Sequence, residues 1–384
     1  GMAHGTLTFL IDKKAYEITT FRKEGPYEDH RHPKWVDYTD SLTEDLARRD
    51  FTINAMAYTP ESGLYDPFAG QTDIKNQLIR CVGDPQLRFR EDALRILRGV
   101  RLAAQTGFTL EPATAQAISD HAGWLKDISN ERIRDEFSKM LLSDHPDTAF
   151  HYLSKLQLWP YILPEIMAAI GFLQHSEHHH LDVYQHTLAT LQNTPPDLSL
   201  RLGALFHDIG KPATFTMDKK GKGHFYGHPE IGVEITSQTM KRLRYPKALQ
   251  QKVIFLVQHH MLHIQDASDK TIKLFLGQLP EPKEEYLESL LLLQKADLQA
   301  SAHPESSLLK HQAFKDRCYS LLHSPIPLTV KDLAINGNDL IQLGIAPKKR
   351  SILLNELLNL ILERPELNQK EYLIQYIKDI KDKQ

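Results

Sequence analysis

Residues 88–104 read RFREDALRILRGVRLAA. Ala93, Ile96, Leu97, Val100, Ala103 and Ala104 fall at helical spacing on one face. Before about residue 66 the chain reads as strands and turns, and from about residue 72 the helical period takes over and persists. The sequence therefore predicts an α+β fold: a small N-terminal mixed β/α part, then an elongated and mainly α-helical body.

Upstream, LTFLI (7–11) and AYEITTF (15–21) are rich in β-branched and aromatic residues, with Asp12-Lys13-Lys14 between them, which reads as a hairpin. Glu17 is out of place mid-strand, because glutamate is depleted there. A carboxylate in that position calls for water, a partner or a metal. The charge balance is even, 46 basic against 49 acidic residues, so any nucleic-acid-binding surface must be local. The two cysteines, Cys81 and Cys318, lie far apart and suit a reducing, cytoplasmic setting. No apolar run has transmembrane length, so no membrane partner is expected.

Downstream, LARRDFTINAMAY (46–58) holds Arg48, Arg49, Asp50 and Asn54, and DPFAGQTDIKNQLIR (66–80) holds Asp66, Gly70, Asp73 and Arg80. Residues 88–104 add Asp92, Arg95, Arg98 and Arg101. Between Lys75 and Arg101 seven Lys/Arg face three Asp/Glu. Adjacent arginines offer forked donors for phosphates, although an isolated pair is as often a solvated loop. Together with HGTLTF, YEITTFR and YEDHRHP, these segments resemble, in order, the class II tRNA nucleotidyltransferases, that is, the CCA-adding enzymes and bacterial poly(A) polymerases. The resemblance implies that Glu17 is the third carboxylate of a Mg²⁺ site and Arg49 a triphosphate contact. It implies ribose-side contacts at Asp50 and Asn54, and a template for the incoming base at Asp92 and Arg95, supported by Arg98 and Arg101.

The template assignment has a chemical basis. Three residues apart on a helix, Asp92 and Arg95 would be neighbours. A carboxylate only accepts and a guanidinium only donates, so the pair matches the amino donor and ring-nitrogen acceptor of cytosine and adenine, the reverse of uracil and guanine. The plain alternative is a surface salt bridge. The resemblance also implies an Asp-x-Asp strand and a Gly-rich turn ahead of the HGT element, where this sequence begins; Asp37 and Asp40 have the wrong spacing to replace it. The sequence is accordingly read as a fragment with a truncated head, inactive in transfer as it stands.

A second constellation follows. His186 lies in DVYQHTL, His207 and Asp208 in HDIGK, His228 in FYGHPEIG, His259-His260 in LVQHHML and Asp297 in QKADLQA. Imidazole and carboxylate suit divalent transition ions, which can supply hydroxide for phosphoester hydrolysis. The array resembles the HD phosphohydrolase superfamily over roughly 175–300. The resemblance implies core ligands at His186, His207, Asp208 and Asp297, with His228 and His259 as further ligands or phosphate contacts, and Mn²⁺, Ni²⁺ or Co²⁺ as the ion. The adjoining HSEHHH run reads as solvated or structural.

Near the C-terminus, TVKDLAINGNDLIQLGI resembles the tRNA-binding tail of HD-containing CCA-adding enzymes, and Lys348, Lys349 and Arg350 keep positive charge near a helix start. The expected organisation is a truncated nucleotidyltransferase head (1–70), a helical neck (71–170), an HD domain (171–300) and a helical tRNA-binding tail (301–384). The expected function is CCA addition to tRNA from CTP and ATP, with phosphoester hydrolysis by the HD domain. Alternatives are a poly(A) polymerase, a partial CC- or A-adding enzyme, or an RNA-binding HD phosphohydrolase.

Overall fold

A computed structural model describes residues 6–25, 34–175, 181–262, 266–302 and 304–381. The chain opens with a hairpin of β1 (Thr6–Ile11) and β2 (Lys14–Thr19), paired antiparallel with Ile11 opposite Lys14. Asp12 and Lys13 have φ of 50° and 64°, the left-handed pair that lets a two-residue turn follow the strand twist. Both faces of this hairpin are open, Leu10 and Ile18 being 71% and 60% exposed. Then come β3 (Arg22–Glu24) paired with β4 (Val36–Tyr38), α1 (Leu42–Ala47), the hairpin β5 (Ala57–Thr59) and β6 (Gly63–Tyr65), α2 (Gly70–Lys75) and β7 (Leu78–Ile79). Leu46, Ala55 and Val82 form a small core under α1.

The helical body starts with α3 (Pro85–Glu91) and α4 (Leu94–Thr106). It continues through β8 (Thr109–Leu110), which pairs parallel with β7, and α5 (Pro112–Asp120), α6 (Asn130–Leu141), α7 (Pro146–Lys155) and α8 (Trp159–Ile162). The apolar face of α4 is buried as its spacing requires: Ile96, Leu97, Val100, Ala103 and Ala104 are fully enclosed, and the helix packs on α6 and α7. Phe137, Phe150 and Trp159 meet edge-on or tilted at 5.2–6.3 Å between ring centres.

A second helical layer follows: α9 (Val183–Asn193), α10 (Leu198–Phe206), α11 (Lys211–Thr214), the short strands β9 (Thr216–Met217) and β10 (Gly223–His224), α12 (His228–Arg242), α13 (Lys247–His259), α14 (Asp269–Gln278) and α15 (Lys283–Gln299). Asp197 caps α10 by accepting the amide of Leu200 at 3.0 Å. α10 ends at Phe206, and Lys211-Pro212 opens α11, proline being at home in a first helical turn. Gly210 has no room for a side chain, since a Cβ would lie 2.2 Å from the carbonyl of His228. This contact seats the start of α12 against the end of α10.

α16 (Pro304–Leu322) packs on α14 and α15, so one core runs from Phe51 to Leu328. A separate core, from Leu333 to Ile377, joins α17 (Gly337–Gln342), α18 (Pro347–Glu363) and α19 (Lys370–Lys381). α14 touches both: Ile272 and Leu276 belong to the first core, Leu274 packs on the second, and Lys273 Nζ donates to the carbonyl of Leu362 at 3.1 Å. No helix among the described residues is long and apolar enough to cross a membrane.

Burial pushes the thiols of Cys81 and Cys318 up to about 12. Alkylation follows the thiolate. Native protein at pH 8 should therefore resist iodoacetamide at both cysteines, with two adducts per chain appearing by mass spectrometry only after denaturation.

Candidate metal centre and nucleotide-facing residues

Five elements deliver histidine and aspartate side chains to one buried point. α9 supplies His186, the end of α10 supplies His207 and Asp208, α12 begins with His228, α13 is closed by His260, and α15 supplies Asp297. Two groups have ligand atoms within 4.8 Å of one another: His186, His207 and Asp297, and Asp208, His228 and His260. Asp208 joins them. Its Oδ2 lies 3.2 Å from His207 Nε2 and 3.7 Å from His186 Nε2, while its Oδ1 lies 3.4 Å and 3.7 Å from the Nε2 atoms of His228 and His260.

The backbone sets the tautomers. His207 Nδ1 contacts the carbonyl of Ala204 at 2.8 Å, His228 Nδ1 that of Phe225 at 2.8 Å, and His260 Nδ1 that of Val257 at 2.7 Å. A carbonyl only accepts, so each Nδ1 carries the proton and each neutral ring turns its Nε2 lone pair inward. The Nε2 atoms of His228 and His260 then face each other at 3.1 Å. Two lone pairs at that distance repel unless a cation or proton lies between them. His207 Nε2 is buried without a hydrogen bond. These donors fit a divalent transition ion.

The charges agree. Burial opposes ionisation of Asp208, yet His207 and Lys211 hold it well below the usual carboxylate range. Asp297 is likewise lowered against its burial, by its bond to His186 at 2.8 Å and the nearby His207. Burial disfavours a charged His207, but Asp208 raises it; burial lowers His260. Lys211 Nζ lies 2.6 Å from Asp208 Oδ2 and donates to Gln174 Oε1 at 2.8 Å.

The structure thus brings together His186, His207, Asp208, His228 and Asp297 but turns His259 away, half-buried against Phe255 and Phe275. His260 takes the inward place. The helical spacing of Val253, Leu256, Val257 and His260 already marks that face. Lys211, three residues beyond Asp208, is the other residue that the sequence reading missed.

At the N-terminal end the expected residues are more dispersed. Glu17 is exposed on β2 opposite Thr8, and the metal-capable groups among the described residues do not include it. Buried Asp50 meets Arg98 NH2 at 2.6 Å, and Arg49 donates to the carbonyl of exposed Asn54 at 3.1 Å. Asp92 and Arg95 are not a facing pair on one helix. Asp92 is extended (φ −139°, ψ 104°) between α3 and α4, caps Leu94, and pairs with Arg132 of α6 at 2.9 Å. Arg95 instead pairs with Glu91 at 2.6 Å and donates to the carbonyl of Arg48 at 2.9 Å. Beside them Lys23, Glu24, Arg48, Arg88 and Glu91 line a cleft of about 230 Å³. Arg101 binds Glu136 of α6 at 2.6 Å, inside the helical body. At the other end Lys348, Lys349 and Arg350 open α18; Arg350 Nε donates to the carbonyl of Ile345 at 2.8 Å, and Lys349 borders a cleft with Ile352 and Ile377.

Three family models match the chain in order: "Poly A polymerase head domain" over residues 1–80, "Probable RNA and SrmB- binding site of polymerase A" over 107–170, and "HD domain" over 178–300. Segment by segment, the chain is thus similar to CCA-adding enzymes and poly(A) polymerases, followed by an HD domain. A CCA-adding enzyme of Lactobacillus helveticus is 51% identical over 158 residues, covering 41% of this chain and 40% of its own length. An A-adding tRNA nucleotidyltransferase of Deinococcus radiodurans is 36% identical over 291 residues, 73% of this chain and 65% of its own length. The chain thus spans less than two thirds of either curated relative. Among solved structures, the CCA-adding enzyme of Bacillus stearothermophilus in complex with CTP matches all of this chain and 84% of its own, with a TM-score of 0.69 and 25% identity.

Arg101→Met should leave Glu136, whose side chain is 8% exposed, without its main partner. Breaking such a buried pair costs about 3 kcal/mol, to be read as a lower urea midpoint at unchanged slope.

Proposed function

We propose that this chain is part of a tRNA nucleotidyltransferase that adds CMP and AMP from CTP and ATP to the tRNA 3′ end with Mg²⁺, and that its HD cluster hydrolyses a phosphoester. The observation that carries the transferase reading is the whole-chain likeness to a CCA-adding enzyme bound to CTP. In this reading residues 1–70 form the head, 71–170 the neck, 171–300 the HD domain and 301–384 the tail. Glu17 contributes to the Mg²⁺ site, Arg49, Asp50, Asn54, Arg98 and Arg101 surround or support the nucleotide, and Lys348, Lys349 and Arg350 contact RNA phosphates. Asp92 and Arg95 read the base once they exchange Arg132 and Glu91 for its edge.

A second reading, addition of A alone, draws on the A-adding relative, whose match runs through most of this chain. Transcripts ending before CCA and after CC, offered CTP and ATP to the protein as its gene encodes it, separate the two on a sequencing gel. Extension of only the CC-ended transcript sinks the full CCA reading. In the same assay Asp92→Ala or Arg95→Ala should let UTP and GTP compete, with discrimination reduced by about 1–3 kcal/mol. Unchanged selectivity would remove both residues from base reading.

For the HD half, His186, His207, Asp208 and Asp297 would hold one divalent transition ion, and Asp208, His228 and His260 are arranged to share a second. A bound ion of this kind lowers the pKa of water and supplies hydroxide. The chain's own part is to keep the Nε2 lone pairs of His207, His228 and His260 pointed inward, to hold Asp208 ionised, and to keep the cation of Lys211 beside it. His207→Ala combined with Asp208→Ala should abolish both bound Mn²⁺, measured by elemental analysis, and hydrolysis of a 2′,3′-cyclic phosphate, while tRNA binding changes little. Wild-type protein free of metal under saturating Mn²⁺, Ni²⁺ and Co²⁺ would refute the metal site.

A further inference from the structure

Beside the metal-capable cluster stands a small hairpin with no part in the assignments above. β9 and β10 pair antiparallel, with Met217 opposite Gly223 and Thr216 opposite His224. Their turn is tightly set. The Asp218 amide donates to the carbonyl of Lys222 at 3.0 Å, and the Asp218 carboxylate accepts the amides of Lys220 and Lys222 at 2.8 Å and 3.0 Å. The same carboxylate lies 3.2 Å from His224 Nε2. The one acid of the turn is therefore committed to the turn itself. Lys219, Lys220 and Lys222 project into solvent and have no ion pair among the described residues.

Next to the lysines lies a flat aromatic surface. Tyr226 is 80% exposed, and its ring is nearly parallel to that of His224, 7° apart in plane with centres 5.4 Å apart. The hairpin is fixed at its base. The Gly223 amide donates to the carbonyl of His175 at 2.9 Å, and a Cβ at Gly223 would lie 2.4 Å from the carbonyl of Gln174. Phe225 packs on Phe215 and lies under Lys211 Nζ at 5.4 Å, while its carbonyl orients His228 of the cluster. Tyr226 is thus one residue from the group that sets a cluster histidine and two residues from that histidine.

Three cations with no ion pair among the described residues, beside an exposed, pre-stacked ring, suit one class of ligand. The cations attract a phosphate backbone, and the ring offers a base a face to stack on without regard to its identity. We propose that the β9–β10 hairpin with Tyr226 is a platform for the unpaired end of an RNA strand, which delivers a terminal phosphoester to the histidine–aspartate cluster. The proposal rests on the hydrolase reading above and deepens it: the substrate is a polynucleotide end, held by at least one base and its flanking phosphates, rather than a free small phosphoester.

The test uses the full chain with a fluorescent single-stranded hexaribonucleotide, followed by anisotropy, and the same hexamer carrying 4-thiouridine for photo-crosslinking. Tyr226→Ala should weaken binding about tenfold, as loss of one base-stacking contact does, while Tyr226→Phe keeps the ring and the affinity. Replacing Lys219, Lys220 and Lys222 together by alanine should lower the slope of log Kd against log salt by about 2, at roughly 0.7 per single-strand phosphate contact. The cross-link should map to the peptide that spans residues 216–227. Unchanged affinity in Tyr226→Ala and in the triple variant, or cross-links confined to other peptides, would overturn the platform. Failure of the wild type to hydrolyse a hexamer ending in a 2′,3′-cyclic phosphate would instead overturn the hydrolase reading and leave the binding result to stand on its own.

Discussion

A single buried carboxylate organises the centre of this molecule. Asp208 is 1% exposed and ionised, with two imidazoles on each side and Lys211 on one oxygen. A buried charge of this kind is tolerated only where partners are fixed around it. The fold supplies them from distant segments: α9 and α15 close one side, the starts of α12 and the end of α13 the other. The packing of these helices on α10 is thus tied to a charge requirement as well as to the burial of Leu202, Leu205 and Leu256. The absent side chain at Gly210 belongs to the same arrangement, because it lets the first turn of α12 come close enough to present His228.

Much of this was legible in the sequence because local rules and global fold agree. The apolar period of α4 and the hairpin of β1 and β2 each follow from short-range chemistry that tertiary packing then reinforces. The cluster was legible in its residue types, and five of its six side chains are the expected ones. His260 was misplaced by one position for want of following the helical period of α13 through Val253, Leu256 and Val257.

The break between α3 and α4 is of another kind. Nothing in Glu91-Asp92-Ala93 marks an interruption, since neither proline nor glycine is present. The extended backbone at Asp92 is accompanied by an ion pair with Arg132, forty residues away. Sequence spacing put Asp92 and Arg95 side by side; in the fold Asp92 pairs with the distant Arg132 and Arg95 with Glu91, four residues before it. The openness of Glu17 has a similar origin. A strand pattern specifies pairing with a neighbour across the hairpin, but it does not say what will cover the two faces.

The shared helix α14 has a consequence for how the molecule comes apart. Two hydrophobic cores would ordinarily mark two units able to melt independently. Here Ile272 and Leu276 are anchored in one and Leu274 in the other, and Lys270 and Lys273 tie the same helix to the end of α18 through Glu363 and the carbonyl of Leu362. Fraying of α14 strips apolar cover from both cores at once. The C-terminal segment is therefore coupled to the body as one cooperative block, and its orientation is held by the interior of a helix rather than by a linker.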